Sequence, residues 1–181
     1  VIDWLFISAR EGGQALHGYV PKAVAGGDKS GVTIGDGIDL GYYENKAFET
    51  LPSPLQDRLL PYLDLIGARA RAALAQRPLT VTLDEAVLIE TPKRQAMAAE
   101  LSRRYLRSAA SPFESLPDAA QTVMMSVTWQ YGTPWARCPH FWNLCCAQDW
   151  PAVHAELMHF GDAYASRREL EAAYLKHGLG L

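Results

Sequence analysis

The sequence has little that would tie it to a bilayer, a nucleic acid or a disulfide-bonded fold. No apolar run approaches the ~20 residues that a spanning helix needs, so no membrane span is expected. The net charge of −3 gives no general pull toward nucleic acid or acidic lipid. Arg103, Arg104 and Arg107 form one candidate basic patch, and a solvated helix face is the plainer reading of it. The three cysteines, Cys138, Cys145 and Cys146, make no disulfide framework, because adjacent residues rarely bridge each other and an odd count leaves one over. Buried, reduced thiols are expected. The stretch from Val1 shows no basic n-region and no small-residue cleavage site, so no signal peptide is expected and the chain reads as a mature form or an excised domain. Internal repeats, low-complexity tracts and long linkers are also missing.

Several catalytic signatures are absent as well. There is no G-x-S-x-G, which removes the serine-hydrolase elbow. His154 and His159 are five apart and diverge around a helix, unlike the four-apart pair of a zinc helix. Cys138, His140, Cys145 and Cys146 have the wrong spacing for a zinc site. Gly35 to Gly41 misses the dinucleotide fingerprint by one residue and opens no helix. No metal and no cofactor are implied.

What is present fits one domain with room for two lobes. The 181 residues are 49% hydrophobic and 20% charged, enough apolar material for a substantial core. Asp3 is placed to cap a helix over Trp4 to about Glu11, which Gly12-Gly13 would terminate. Glycine then concentrates between Gly18 and Gly41, with β-branched residues in short alternating stretches, the pattern of a small sheet with tight turns. Everything after about residue 47 reads as helix. Leu51 to Ala75 carries apolar residues near three-and-four spacing, Thr82 to Glu85 fits a capping box, and Pro92 would begin the next helix. Further helices are expected from Pro117-Asp118 to near Gly132, from Asp149-Trp150-Pro151, and over Ser166 to Lys176 before Gly178. The expected plan is α+β: an N-terminal helix and small β lobe over about 1–46, then a helical lobe over about 47–181.

Three side chains stand out as a possible chemical set. Glu11 would sit in the last turn of its helix, where the macrodipole is negative and disfavours a charged carboxylate. Burial beside Trp4 or Phe6 would act in the same direction, toward the protonated form that a general acid needs. Arg10 precedes it, so the local field is mixed. Thr33 and Asp39 lie at an even separation, which puts them on one face of a continuous strand or on facing strands if Gly35 to Gly37 turn. Asp36, at odd spacing from both, is expected to point away or to cap the turn. Trp129, Tyr131 and Tyr19 are candidate sugar-binding aromatics. For Trp129 and Tyr131 the alternative is core packing at the end of a buried helix.

Glu11-Gly12-Gly13 taken with Gly31-Val-Thr-Ile-Gly-Asp-Gly-Ile-Asp-Leu-Gly41 resembles the phage-type lysozymes, and more closely their toxin relatives, the pesticin-like muramidases. Thr122 to Gly132 resembles the buried central helix of those enzymes, and Arg167 to Ala172 their arginine-rich final helix. The resemblance implies a lysozyme-like fold with Glu11 as the acid and Thr33 and Asp39 handling the attacking water. The phage enzymes carry their aspartate before the threonine and the toxin-like pattern carries it after. Asp39 is therefore favoured over Asp28, and its strand phase also matches Thr33.

Cleavage of a glycosidic bond needs one protonated acid at the leaving oxygen and a second group on the opposite face, ~6.5–9.5 Å away when a water is activated with inversion. The implied function is hydrolysis of peptidoglycan between N-acetylmuramic acid and N-acetylglucosamine by an antibacterial effector or endolysin domain. Such a domain acts in the periplasm after synthesis in the cytoplasm and delivery within a larger effector, as a monomer, with a periplasmic immunity protein as a possible partner. The rivals are a lytic transglycosylase of the same fold and a non-catalytic wall-binding module.

Overall fold

A computed structural model describes residues 1–22 and 28–181. Gly26 and Gly27, part of the glycine-rich stretch between Gly18 and Gly41, lie outside the described residues. The expected α+β plan is observed, with nine α-helices and one three-stranded antiparallel sheet among the described residues. The chain divides into two compact units, Glu11–Arg94 on the one hand and Val1–Arg10 with Gln95–Leu181 on the other.

The unit Glu11–Arg94 contains the sheet. Strands β1 (Ala15–Tyr19), β2 (Thr33–Gly35) and β3 (Ile38–Asp39) lie in that order. Asp36 and Gly37 make the tight turn between β2 and β3, and Thr33 pairs with Asp39 across it. On the other side Tyr19 pairs with Thr33 and Ala15 with Gly35, with a bulge between. Val32, Ile34, Ile38 and Leu40 are fully buried and form one face of the sheet. Alternation then turns Thr33 and Asp39 to the other face.

Against the buried face pack Leu55 and Leu59 of α2 (Ser53–Leu59), Ala70 of α3 (Gly67–Gln76), and Ala86 and Ile89 of α4 (Leu83–Leu106). The single helix expected over Leu51 to Ala75 is therefore two. Pro61 lacks the N–H that would continue it, the chain tightens into a 3-10 turn over Leu60–Tyr62, and Asp64 and Gly67 take positive φ. The apolar spacing runs on across this break, so periodicity alone does not reveal it.

Helix α4 begins on the expected capping box. The Thr82 N–H donates to the Glu85 carboxylate at 2.9 Å, and the Glu85 N–H to the Thr82 hydroxyl at 3.2 Å. Pro92 does not begin a new helix but lies inside α4. Ala86, Ile89 and Glu90 are buried on one face just before it, and that anchoring outweighs the one backbone hydrogen bond lost at the proline.

The second unit is helical. Its central element is α5 (Asp118–Tyr131), buried from Ala119 through Thr128. Around it lie α1 (Trp4–Arg10), the second half of α4, α6 (Pro134–Arg137), α7 (Pro139–Cys146), α8 (Trp150–Met158) and α9 (Ala165–Leu179). Ile7, Leu101, Val123, Phe141, Leu157 and Leu175 are among its core residues. Cys138 and Cys145 are buried free thiols and Cys146 is half-buried. Helix α9 runs past Gly178 to Leu179 and is capped by Gly180; at Gly178 it meets Ala119 so closely that a Cβ there would collide.

Candidate active site

Helix α1 opens on the Asp3 carboxylate, which accepts the Phe6 N–H at 2.9 Å. It closes at Arg10, whose guanidinium lies 4.3 Å from the centre of the Phe6 ring. Glu11 follows directly, and positive φ at Gly12 and Gly13 turns the chain into β1. The Glu11 side chain is exposed rather than buried beside Trp4 or Phe6. It lines a pocket of about 360 Å³. Two stretches of chain form that pocket: residues 11–15 with Tyr19, and Gly35, Asp36 and Gly37 of the β2–β3 turn.

Thr33 and Asp39 are brought together as register partners, on the face that also carries Tyr19. Both address Gly31. The Thr33 hydroxyl donates to the Gly31 carbonyl at 3.4 Å, while both carboxylate oxygens of Asp39 accept the Gly31 N–H at 2.9 and 3.0 Å. Asp39 Oδ1 also accepts the Gly41 N–H at 3.0 Å and so caps the 3-10 turn Leu40–Tyr42. A side chain at Gly31 would collide with this carboxylate. Burial pushes the Tyr43 phenol up, and the nearby Asp39 charge adds to the shift. Asp28 is engaged elsewhere, in an ion pair with Arg71 of α3.

Asp36, which lines the pocket, is tied to a carboxylate of which the sequence gives little sign, that of Glu90. Asp36 is buried at 5% exposure, and its side chain is ion-paired to Arg94 at 3.0 Å. Its N–H donates to Glu90 Oε1 at 2.6 Å. Glu90 is fully buried and also accepts from Gln14 Nε2 at 2.9 Å and from Arg94. Burial pushes the Glu90 carboxyl up, against the pull of the Asp36 N–H, Arg94 and Gln14. Burial also pushes the Lys93 ammonium down, while Glu11, Glu90 and Asp36 draw it back. In sequence, Glu90 and Arg94 read as an ordinary exposed i,i+4 pair. The one signal against that is the placement of Glu90 four residues after Ala86, on the apolar face of α4.

Tyr19 lines the Glu11 pocket. Trp129 and Tyr131 belong to the other unit. There Trp129 meets Trp4 edge to face at 5.7 Å, and Tyr131 stacks on Phe160 and donates its hydroxyl to Asp162 at 2.6 Å. Among the described residues no group of three or more His, Cys, Asp or Glu is arranged to hold a metal ion. None of their helices is long and apolar enough to cross a membrane.

The family Pesticin, described as a bacterial toxin homologue of phage lysozyme, C-terminal, matches residues 1–151. The chain belongs to the pesticin family. Its α+β architecture, with the small sheet following an N-terminal helix, is accordingly lysozyme-like. As a pesticin-family domain it falls in the class of lysozyme-like glycosidases directed at peptidoglycan. The match takes in Glu11, the β2–β3 turn and all of α4 and α5, and leaves most of α8 and all of α9 outside it. No curated protein matches this pesticin-family chain significantly.

Proposed function

We propose that the whole chain is a single muramidase domain that hydrolyses the β-1,4 bond between N-acetylmuramic acid and N-acetylglucosamine. Glu11 donates a proton to the leaving glycosidic oxygen. Asp39, with Thr33, holds a water on the opposite face of the sugar and takes its proton as the water attacks the anomeric carbon with inversion. The observation that carries this reading is the pairing of Thr33 with Asp39 on the sheet face that carries Tyr19, which lines the Glu11 pocket. Asp39 is preferred to Asp28 because of that pairing, Asp28 being spent on Arg71. Tyr19 is proposed as a sugar-stacking residue of the pocket, and Trp129 and Tyr131 as further sugar-binding aromatics.

The domain is proposed to act as the lytic part of a bacterial effector. It works monomerically on periplasmic glycan strands, and an immunity protein that occludes the pocket is its expected antagonist. Glu11→Gln, assayed on purified peptidoglycan, tests the reading. Near-complete loss of new reducing ends with an unchanged melting curve is expected, because the side chain is exposed. Retained lysis would remove Glu11 from the chemistry. Anhydromuramyl products from the unaltered enzyme would replace hydrolysis by transglycosylation.

A further inference from the structure

We infer that Glu90 is a positioning residue of the Glu11 pocket, its buried carboxylate tying the chain after Glu11 to the β2–β3 turn. The inference rests on the muramidase reading for its kinetic readout. Two separate stretches of chain line the pocket, and strand pairing between them begins only at Ala15 with Gly35. Beyond that pair no strand pairing joins Gln14 to Asp36, and Glu90 bonds both. One oxygen accepts Gln14 Nε2 at 2.9 Å and the other the Asp36 N–H at 2.6 Å. Arg94 bonds Glu90 from the next turn of α4 and reaches the Asp36 carboxylate at 3.0 Å.

Gly35 completes the fit, since Glu90 Oε1 occupies the place where a side chain on Gly35 would project. Glu90 is itself absent from the pocket lining. It therefore touches no substrate and acts through the residues that do. A misplacement of about 1 Å at a reacting group costs on the order of 10²-fold in rate. That is the scale on which a loosened wall would register.

The test compares Glu90→Gln, Gln14→Met and the double variant in the full chain. It measures kcat and KM on soluble muramyl glycan oligosaccharides, per folded molecule as judged by near-ultraviolet circular dichroism. Glutamine keeps the volume and one acceptor but sets an amide NH2 against Gln14 and Arg94. The expected result is a fall in kcat of roughly 10- to 100-fold with KM within about threefold. Gln14→Met should fall in the same direction, and the double variant by less than the product of the two. A purely structural role would lower the melting temperature and leave kcat per folded molecule unchanged.

Glu90→Gln that folds and keeps kcat within about threefold overturns the inference, as do effects of the two substitutions that simply multiply. If Glu90→Gln fails to fold, Gln14→Met decides alone. A lower kcat with faster hydrogen exchange at the Asp36 amide supports the link, and unchanged values overturn it. Failure of the muramidase reading looks different, since the unaltered chain would then release no reducing ends from peptidoglycan.

Discussion

Replacing Asp39 by asparagine and by alanine separates what its carboxylate does for the fold from what it is proposed to do for the reaction. Oδ1 accepts the N–H groups of both Gly31 and Gly41, and Oδ2 shares only the first of them. An amide oxygen in the Oδ1 position keeps both bonds. Asparagine therefore loses charge assistance and one shared contact, at a cost of about 1 kcal/mol. Alanine leaves two N–H groups of buried residues without an acceptor. At ~1–3 kcal/mol each, that is ~2–6 kcal/mol, or ~4–24 °C in Tm for a chain of this size. Loss of a positioned base costs ~10²–10⁴-fold in rate, so asparagine should be almost as inactive as alanine while remaining nearly as stable as the parent.

Urea melts and reducing-end release from peptidoglycan measure the two effects independently. Activity of Asp39→Asn above about a third of the parent's would refute the assignment of Asp39 as the base, since even the low end of that range is ~10². A loss of less than ~1 kcal/mol in Asp39→Ala would refute the capping argument.

Gly31→Ala should behave like Asp39→Ala, because the added methyl collides with the Asp39 carboxylate and with the backbone of Gly41. A melt within about 1 kcal/mol of the parent would show that the cap relaxes around it. Thr82→Ala removes the side chain that accepts the Glu85 N–H and should cost about 1 kcal/mol, a fall of ~2–4 °C by calorimetry with activity intact. Burial, reinforced by the bond to Asp162, pushes the Tyr131 phenol up to about 12. The unfolded chain ionises this group first, near the ordinary value of 10.0, so its contribution to stability is full below pH 10 and is lost as pH rises toward 12. Urea midpoints of the parent should fall through that window more steeply than those of Tyr131→Phe.

The parts of this molecule governed by local rules were legible in the sequence. The Asp3 cap, the Thr82 box, the helix ending before Gly132 and the facing of Thr33 and Asp39 each rest on residues within a few positions of one another. The prolines show where such rules stop. Pro61 ends a helix whose apolar spacing continues, whereas Pro92 sits inside one because buried neighbours hold it there. Asp36 meets the same kind of limit. It sits in the β2–β3 turn, but a two-residue turn alone does not say what lies beside it. Arg94 does, from far along the chain, and it makes a turn residue into part of a buried ion pair. Glu90 is harder still, because an i,i+4 pair with Arg94 looks the same in sequence whether water or Gly35 faces it.

Glycine between residues 31 and 41 allows two readings, tight turns or the close approach of a ligand. Gly37 is a turn glycine, with positive φ and open space where its side chain would be. At Gly31 and Gly35 the close approach is real, but the approaching groups are the protein's own carboxylates, Asp39 and Glu90. Three carboxylates thus crowd one small sheet around the exposed Glu11, and unpaired they would repel one another in a partly dry setting. They are not unpaired. Backbone N–H groups of Gly31 and Gly41 hold Asp39, and Arg94 holds both Asp36 and Glu90. The carboxyls with structural duties are thus matched by donors inside the fold, while Glu11 is exposed and lines the pocket beside Asp36.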